Sequence, residues 1–496
     1  MENNNNAAGG LKQIMNVRLQ KMDALRERGY DPFGQRYDVT HHVADLLADK
    51  EELVKNETPV KIAGRVMAKR GQGKAGFANI MDKSGTIQIY SRQDLIGADM
   101  HWLFKKADIG DICGIEGTLF YTDSGELTLR VSVYTPLCKA MRPMPEKFHG
   151  LTDKEIRYRQ RYVDLIMNPE VRETFVKRSR IVSAIRTYLD GEDFLEVETP
   201  VLHTIAGGAN ARPFITHHNA LDIDLYMRIA LELHLKRLIV GGLERVYEIG
   251  RVFRNEGIDT RHNPEFTLLE VYQAFGDYET MMDLTENLFR TVAQQVLGTT
   301  VISVGGVEID LGKPFRRVTM TDAVREATGI DYLSTMTDDE FRAAARARGI
   351  DIPADMPRGK VLEELFDDAV EANLIQPTFV TDYPVEISPL ARRMPDNENL
   401  TYRFELFIVG REHANAFSEL NNPMDQRERF LEQVEAKSKG DDEAHPMDED
   451  YVQALEYGMP PTGGLGIGID RMVMLLTDAE SIRDVLFFPT MKPLDK

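Results

Sequence analysis

The sequence predicts an α+β chain in which a small N-terminal β-barrel precedes a larger domain built on an antiparallel sheet flanked by helices. Three observations carry this. Between Thr58 and Lys139 the chain breaks into about five short β-rich runs separated by glycine turns. From Arg245 to Tyr278 two alternating segments flank a polar loop, the pattern of a hairpin. Around that hairpin, Glu170–Leu189 and Tyr278–Gly298 carry helical apolar spacing. A chain of 496 residues has room for two or three domains and a large core.

Composition narrows the class. With 42% hydrophobic and 28% charged residues the chain reads as a soluble globular protein. It has no apolar run of 18 residues, and MENNNNAAGG lacks the layout of a signal peptide, so no membrane partner is expected. The two cysteines, Cys113 and Cys138, form no CxxC and read as buried apolar residues in a reducing cytoplasm. A net charge of −20 argues against a protein that coats nucleic acid, DNA included.

Residues 1–57 read as a basic helical extension. Its first ten residues are polar and expected to be disordered. From Leu11 to Arg28, Ile14, Val17, Leu19, Met22 and Leu25 fall at helical spacing among basic residues. Both a solvated helix and one resting on RNA fit that pattern. Residues 58–140 hold VKIAGRVMA, GFANIMD, TIQIYS, DICGIEGTLFY and ELTLRVSVY, which suggest a five-stranded barrel of the OB type. Val60–Ala140 carries 11 basic and 8 acidic residues, a local excess of positive charge within an acidic chain. Phe77, Gln88 and Glu126 are assigned to three of these strands, one group that stacks and two that read base edges. Phe77 taken alone reads equally well as core.

Residues 141–165, rich in proline and charge, read as a hinge, and 166–496 as the larger domain with a helical insertion near 330–375. Glu170–Leu189 is followed by FLEVETPVL, a strand closed by Pro200. The small-residue loop Ala206–Phe214, with Gly207 and Gly208, lets backbone approach a ligand. Met227–Val240 has helical spacing and places Glu232 near its start, where the helix dipole also favours an acid.

In the hairpin, Val246–Glu256 and Phe266–Tyr272 are expected to pair and to set Arg254, Glu256, Phe266, Glu270 and Tyr272 on one floor. That floor combines an anion clamp, hydrogen-bond acceptors and an aromatic platform, with Arg261 and His262 in the connecting loop. Further on, Leu400–Leu420 reads as a strand pair carrying Glu412, Asn415 and Glu419. Finally, GGLGIGIDRMVMLL alternates glycines 464, 466 and 468 along a strand that runs into a helix near Asp470 and Arg471. It is neither GxGxxG nor a Walker loop, since no GK[ST] occurs.

FRNEG followed by TRHNPEF resembles the second of the three motifs of class II aminoacyl-tRNA synthetases, in its lysyl form. The helix–strand–proline unit before it and the glycine strand after it resemble the first and third. By that resemblance the chain is expected to be a cytoplasmic homodimer that activates L-lysine with ATP and Mg²⁺ and transfers it to tRNA(Lys). The resemblance implies catalytic roles for Arg254 and Arg471, and ATP contacts from these two with Glu256, Arg261, His262 and Phe266. It implies lysine contacts from Gly208, Glu232, Glu270, Tyr272 and Asn415, with Glu232 and Tyr272 at the ε-ammonium and Glu270 at the α-ammonium. Glu412 and Glu419 would hold the metal, and Arg70, Phe77, Gln88 and Glu126 would read the anticodon. The rival readings are an aspartyl or asparaginyl enzyme of the same subclass, a paralogue that lysylates protein, and a catalytically inactive RNA-binding paralogue. Two acids in the pocket favour a dibasic substrate on physical grounds alone.

Overall fold

A computed structural model describes residues 2–71, 73–145, 151, 153–209, 211–438 and 446–494. Asn210 of the small-residue loop and residues 146–150 and 152 of the expected hinge lie outside that set. The chain divides into two units, Met1–Thr152 and Asp153–Lys496.

In the first unit, helix α1 (Glu2–Glu27) starts well before the apolar stripe that marks it in sequence. Periodicity cannot locate a helix end that carries no apolar face. The basic side chains of α1 are partly structural: buried Arg18 donates to the carbonyls of Ile109, Ala140 and Arg142, and Lys21 pairs with Asp108. Strands β1 (Val60–Arg70), β2 (Ala75–Met81), β3 (Thr86–Arg92), β4 (Ile112–Tyr121) and β5 (Leu127–Cys138) close a barrel in the order β1-β2-β3-β5-β4. Alternate residues such as Ile62, Ile80, Ile89, Ile115 and Leu129 fill its core. Helix α2 (Gln93–Lys106), between β3 and β4, adds Leu103 and Phe104 to that core. It escaped the sequence reading because Gly97 (φ 79°) interrupts its helical period. Both cysteines are free, Cys113 buried and Cys138 half-buried.

The second unit is organised by an eight-stranded sheet. Its strands are β6 (Leu195–Glu196), β7 (Arg245–Phe253), β8 (Glu265–Ala274), β9 (Arg316–Thr319), β10 (Thr378–Thr381), β11 (Arg403–Phe407), β12 (Glu412–Ser418) and β13 (Thr462–Gly468). They lie in the order β9-β10-β11-β12-β13-β8-β7-β6. Only the outer pairs β9/β10 and β6/β7 are parallel. Helices α3 (Pro169–Gly191), α5 (Tyr278–Leu297) and α7 (Ile469–Thr477) cover one face, while α4 (Glu232–Val240) and α6 (Glu449–Glu456) stand on the other. The period-two alternation of β8 divides its side chains between these faces. Leu269 and Val271 enter the core with α3, α5 and α7; Phe266, Leu268 and Tyr272 turn toward α4. The helical insertion has its own core around Phe341, Leu362 and Phe366.

Several boundaries shift. Of FLEVETPVL only Leu195–Glu196 joins the large sheet, Leu202 opening a separate short strand Leu202–His203, and residues 228–231 precede rather than join α4. Part of the expected hinge forms helices Lys154–Arg159 and Arg161–Met167, anchored by fully buried Arg161 on Asp164. Among the described residues, no helix is long and apolar enough to cross a membrane.

Candidate active site

The expected hairpin forms, with Glu248 opposite Glu270 and Val252 opposite Phe266. Strand β7 ends at Phe253, so Arg254 and Glu256 do not share the strand floor as expected. They leave the ladder where the chain turns, the Arg254 amide donating to the carbonyl of Pro264 at 2.8 Å. Both still line the cavity, because the turn carries them over it. The Arg254 guanidinium packs on the Phe266 ring, 5.1 Å from its centroid.

On the other side of β8, strand β13 pairs Gly468 with Leu268, Gly466 with Glu270 and Gly464 with Tyr272. A side chain at Gly464 would collide with the Glu419 carboxylate and the Tyr272 ring, so glycine there is a condition for the buried acid beside it. The result is a cavity of about 410 Å³ over β8, β12 and β13. It brings together Gly208, Glu232, Arg254, Glu256, Arg261, His262, Phe266, Glu270, Tyr272, Glu412, Asn415, Glu419 and Arg471, every catalytic, ATP, lysine and metal residue inferred from sequence.

One end is acidic and buried. Glu232, Glu270 and Glu419 are all buried. Glu270 is held by the Leu231 amide at 2.9 Å and the Tyr272 hydroxyl at 2.8 Å. Burial, with Glu232 nearby, pushes the Glu270 carboxyl up to about 7. Burial also raises Glu232 and lifts Glu419 well above the usual carboxylate range. Carboxylates stripped of water in this way favour a cation. Gly208 (φ +91°) closes the wall: a Cβ there would lie 3.0 Å from Ala230 and 3.3 Å from the Glu232 Cβ.

The other end is mixed in charge. Arg471 donates to the Glu412 carboxylate at 2.8 Å and to its carbonyl at 2.9 Å. Burial would raise Glu412, but Arg471, together with Arg403 and Arg254, outweighs it and holds the carboxyl low. Asp470, next to Arg471, pairs with Arg178 of α3 at 2.6 Å and accepts from the Thr267 amide at 2.7 Å. That contact ties α3, the hairpin and the glycine strand together. In the hairpin loop Asp259 organises Arg261 and His262 through its side chain.

Two groups, Lys236 and Glu405, carry no signal in the sequence. Lys236 of α4 is fully buried and bridges Glu232 and Glu419. Glu419, expected beside Glu412, is therefore engaged with a cation of the chain itself. Glu405 of β11 sits by Arg403 at 2.7 Å, and burial raises it to about 7, Arg403 opposing and Glu412 adding to the rise. Glu412 thus shares its neighbourhood with Glu405. Among the described residues, no group of three or more His, Cys, Asp or Glu could hold a metal.

In the barrel, the four residues inferred for RNA reading converge. Arg70 donates to Gln88 at 2.5 Å, lies 3.8 Å from Glu126 and sits 5.4 Å from the Phe77 ring centroid. Glu126 is in the turn before β5, not on a strand. Gln88 is buried and donates to Thr128 at 2.8 Å. Phe77 continues into a row with Tyr90 at 4.8 Å and Tyr90 with Phe120 at 6.0 Å.

Comparison with known proteins gives two family matches. Residues 153–492 match the tRNA synthetases class II (D, K and N), and 60–137 match the OB-fold nucleic acid binding domain. A lysine–tRNA ligase of Carboxydothermus hydrogenoformans is 59% identical, over 98% of this chain and 99% of its own length. Those of Enterococcus faecalis and Bacillus subtilis are 59% and 57% identical, each over 97% of this chain and 98% of the relative. The chain belongs to the class II tRNA synthetases of the D, K and N group, with an N-terminal OB-fold domain.

Proposed function

We propose that this chain is a lysine–tRNA ligase, activating L-lysine with ATP to lysyl-adenylate and transferring the lysyl group to the 3′ end of tRNA(Lys). The observation that carries the lysine assignment is the buried acidic end of the cavity, where Glu232, Glu270 and Glu419 surround Tyr272. Aspartate would bring an anionic side chain to a site rich in carboxylates, at a large electrostatic cost, and asparagine would leave buried carboxylates without a cationic partner. The near-full-length likeness to lysine–tRNA ligases points the same way.

The first step needs no proton transfer by the protein. The lysine carboxylate attacks the α-phosphorus in line and pyrophosphate leaves, so positioning and charge neutralisation are the protein's task. Arg254 would meet both the α-phosphate and the lysine carboxylate, as its planar fork allows. Phe266 would stack on adenine from one side and Arg471 from the other, Glu256 accepting from the adenine amino group. Arg261 and His262 would take the phosphate tail. Glu232 and Glu270, with the Tyr272 hydroxyl, would receive the two ammonium groups, Gly208 and Asn415 shaping the wall.

The donor set fits Mg²⁺ at Glu412, since two crowded carboxylates lower their mutual repulsion by sharing a cation. Magnesium is characteristically held by one or two carboxylates plus substrate phosphates. Glu405 is the better placed partner for Glu412, because Glu419 is engaged by Lys236. When bound, the ion would neutralise charge on the phosphates.

The barrel would read the anticodon through Arg70, Phe77, Gln88 and Glu126. A homodimer is supported by exposed Leu195, Val201, Leu202, Ile215, Leu221 and Ile223, which follow α3 or lie on or beside the three-stranded sheet of Leu202–His203, Ile215–His218 and Ile223–Met227. A cytoplasmic location agrees with the two free cysteines. Charging assays with labelled lysine and tRNA(Lys) test the proposal; acid-precipitable lysyl-tRNA is expected, and charging with aspartate or asparagine instead would overturn it.

A further inference from the structure

Lysine–ligase function requires two ammonium groups to be met, yet the acidic end of the cavity holds three buried carboxylates, Glu232, Glu270 and Glu419. The fourth charge there belongs to the protein. Lys236 lies one helical turn after Glu232 on α4, so its side chain rises on the same face. Its ammonium contacts the Glu232 carboxylate and that of Glu419, just past the end of β12, and lies 5.2 Å from the Phe417 ring centroid. Lys236 has no solvent exposure, and Glu419 has 1%. Glu270 on β8 and Tyr451 on α6 also interact electrostatically with Lys236.

A buried ammonium with no role other than packing would be an expensive way to fill space, since its desolvation is repaid only by close carboxylates. Here it touches two acids at once. It fixes the separation of Glu232 and Glu419, and it cancels one of three negative charges.

We propose that Lys236 is a specificity-determining positioning residue, which clamps Glu232 to Glu419 and leaves the lysine-bound pocket, with its three carboxyls ionised, two uncompensated negative charges, the number of ammonium groups on lysine. The inference rests on lysine being the substrate. It makes recognition a matter of charge count: a dication with a free carboxylate satisfies the pocket, whereas a neutral side chain of similar length leaves a buried carboxylate without a partner. Lys236 touches neither ATP nor the attacking carboxylate in this account. Its influence passes through the geometry and charge of the acids.

The test compares wild type, Lys236→Met, Lys236→Gln and Lys236→Arg in lysine-dependent ATP–pyrophosphate exchange. Lys236→Met should raise KM for lysine about tenfold or more while KM for ATP stays within about twofold, and Lys236→Arg should recover most of the loss. Lys236→Gln keeps hydrogen-bonding capacity without charge, and it carries the same expectation should the methionine variant fail to fold. A folded neutral variant whose lysine KM matches wild type, or whose lysine and ATP KM values rise together, would overturn the clamp while leaving the substrate assignment standing. A wild-type enzyme with no lysine-dependent exchange would remove the substrate assignment and this inference with it.

Discussion

Arg471 donates to the Glu412 carboxylate at 2.8 Å, joining the helix that follows the glycine strand to the first residue of β12. The guanidinium therefore waits beside a carboxylate that the proposed mechanism assigns to magnesium. In the proposed mechanism ATP binding moves the guanidinium from this carboxylate onto the adenine face, and the site uses both residues. Arg471→Ala is expected to lower exchange by about 10²-fold or more, roughly 3 kcal/mol of transition-state stabilisation, with circular dichroism unchanged. Near-normal turnover would remove Arg471 from the ATP site.

Glu232→Gln keeps the shape of the side chain and removes one negative charge beside Lys236. Lysine KM is expected to rise by about tenfold or more, some 1.4 kcal/mol, with ATP binding little affected. Steady-state kinetics with each substrate varied in turn would check this; unchanged lysine kinetics would take Glu232 out of the pocket.

The pH dependence follows from Glu270. Burial raises its carboxyl from 4.5 to about 7. The protonated form favours the ligand-free fold, so that stabilisation is complete below about 4.5 and is lost as pH rises through about 7. An ammonium ligand prefers the ionised form. The lysine-induced rise in Tm is therefore expected to grow between pH 6 and pH 8, and kcat/KM for lysine to fall by up to about tenfold per pH unit below the transition. A flat profile over that range would contradict the assignment.

In the barrel, Arg70 is the shared contact of Gln88, Glu126 and Phe77. Arg70→Ala should raise KM for tRNA about tenfold while leaving tRNA-independent exchange within twofold, because adenylate formation belongs to the other unit. Equal loss in both assays would point to general damage instead.

What the sequence could show and what it could not divides along physical lines. The β7–β8 hairpin, the barrel strands and the glycine strand were legible because period-two alternation and turn residues are local signals. Family motifs supplied the cavity's ATP and lysine residues. Lys236 was not legible: it reads as one basic residue on a helix until folding brings Glu419 against it, 183 positions later in the chain. Glu405 looked like an alternating strand residue, and only the β11–β12 pairing sets it near Glu412. The end of β7 was misplaced by a few residues because Arg254 and Glu256 continue the alternation after the hydrogen-bonded ladder has stopped.

The most direct test of the central claim is ATP–pyrophosphate exchange with each of the twenty amino acids, in the presence of Mg²⁺ and without tRNA. The account predicts exchange that depends on lysine alone. Exchange with aspartate or asparagine would mean the fold is as described and the acidic pocket misassigned; a folded protein with no exchange for any amino acid would contradict the proposed catalysis altogether.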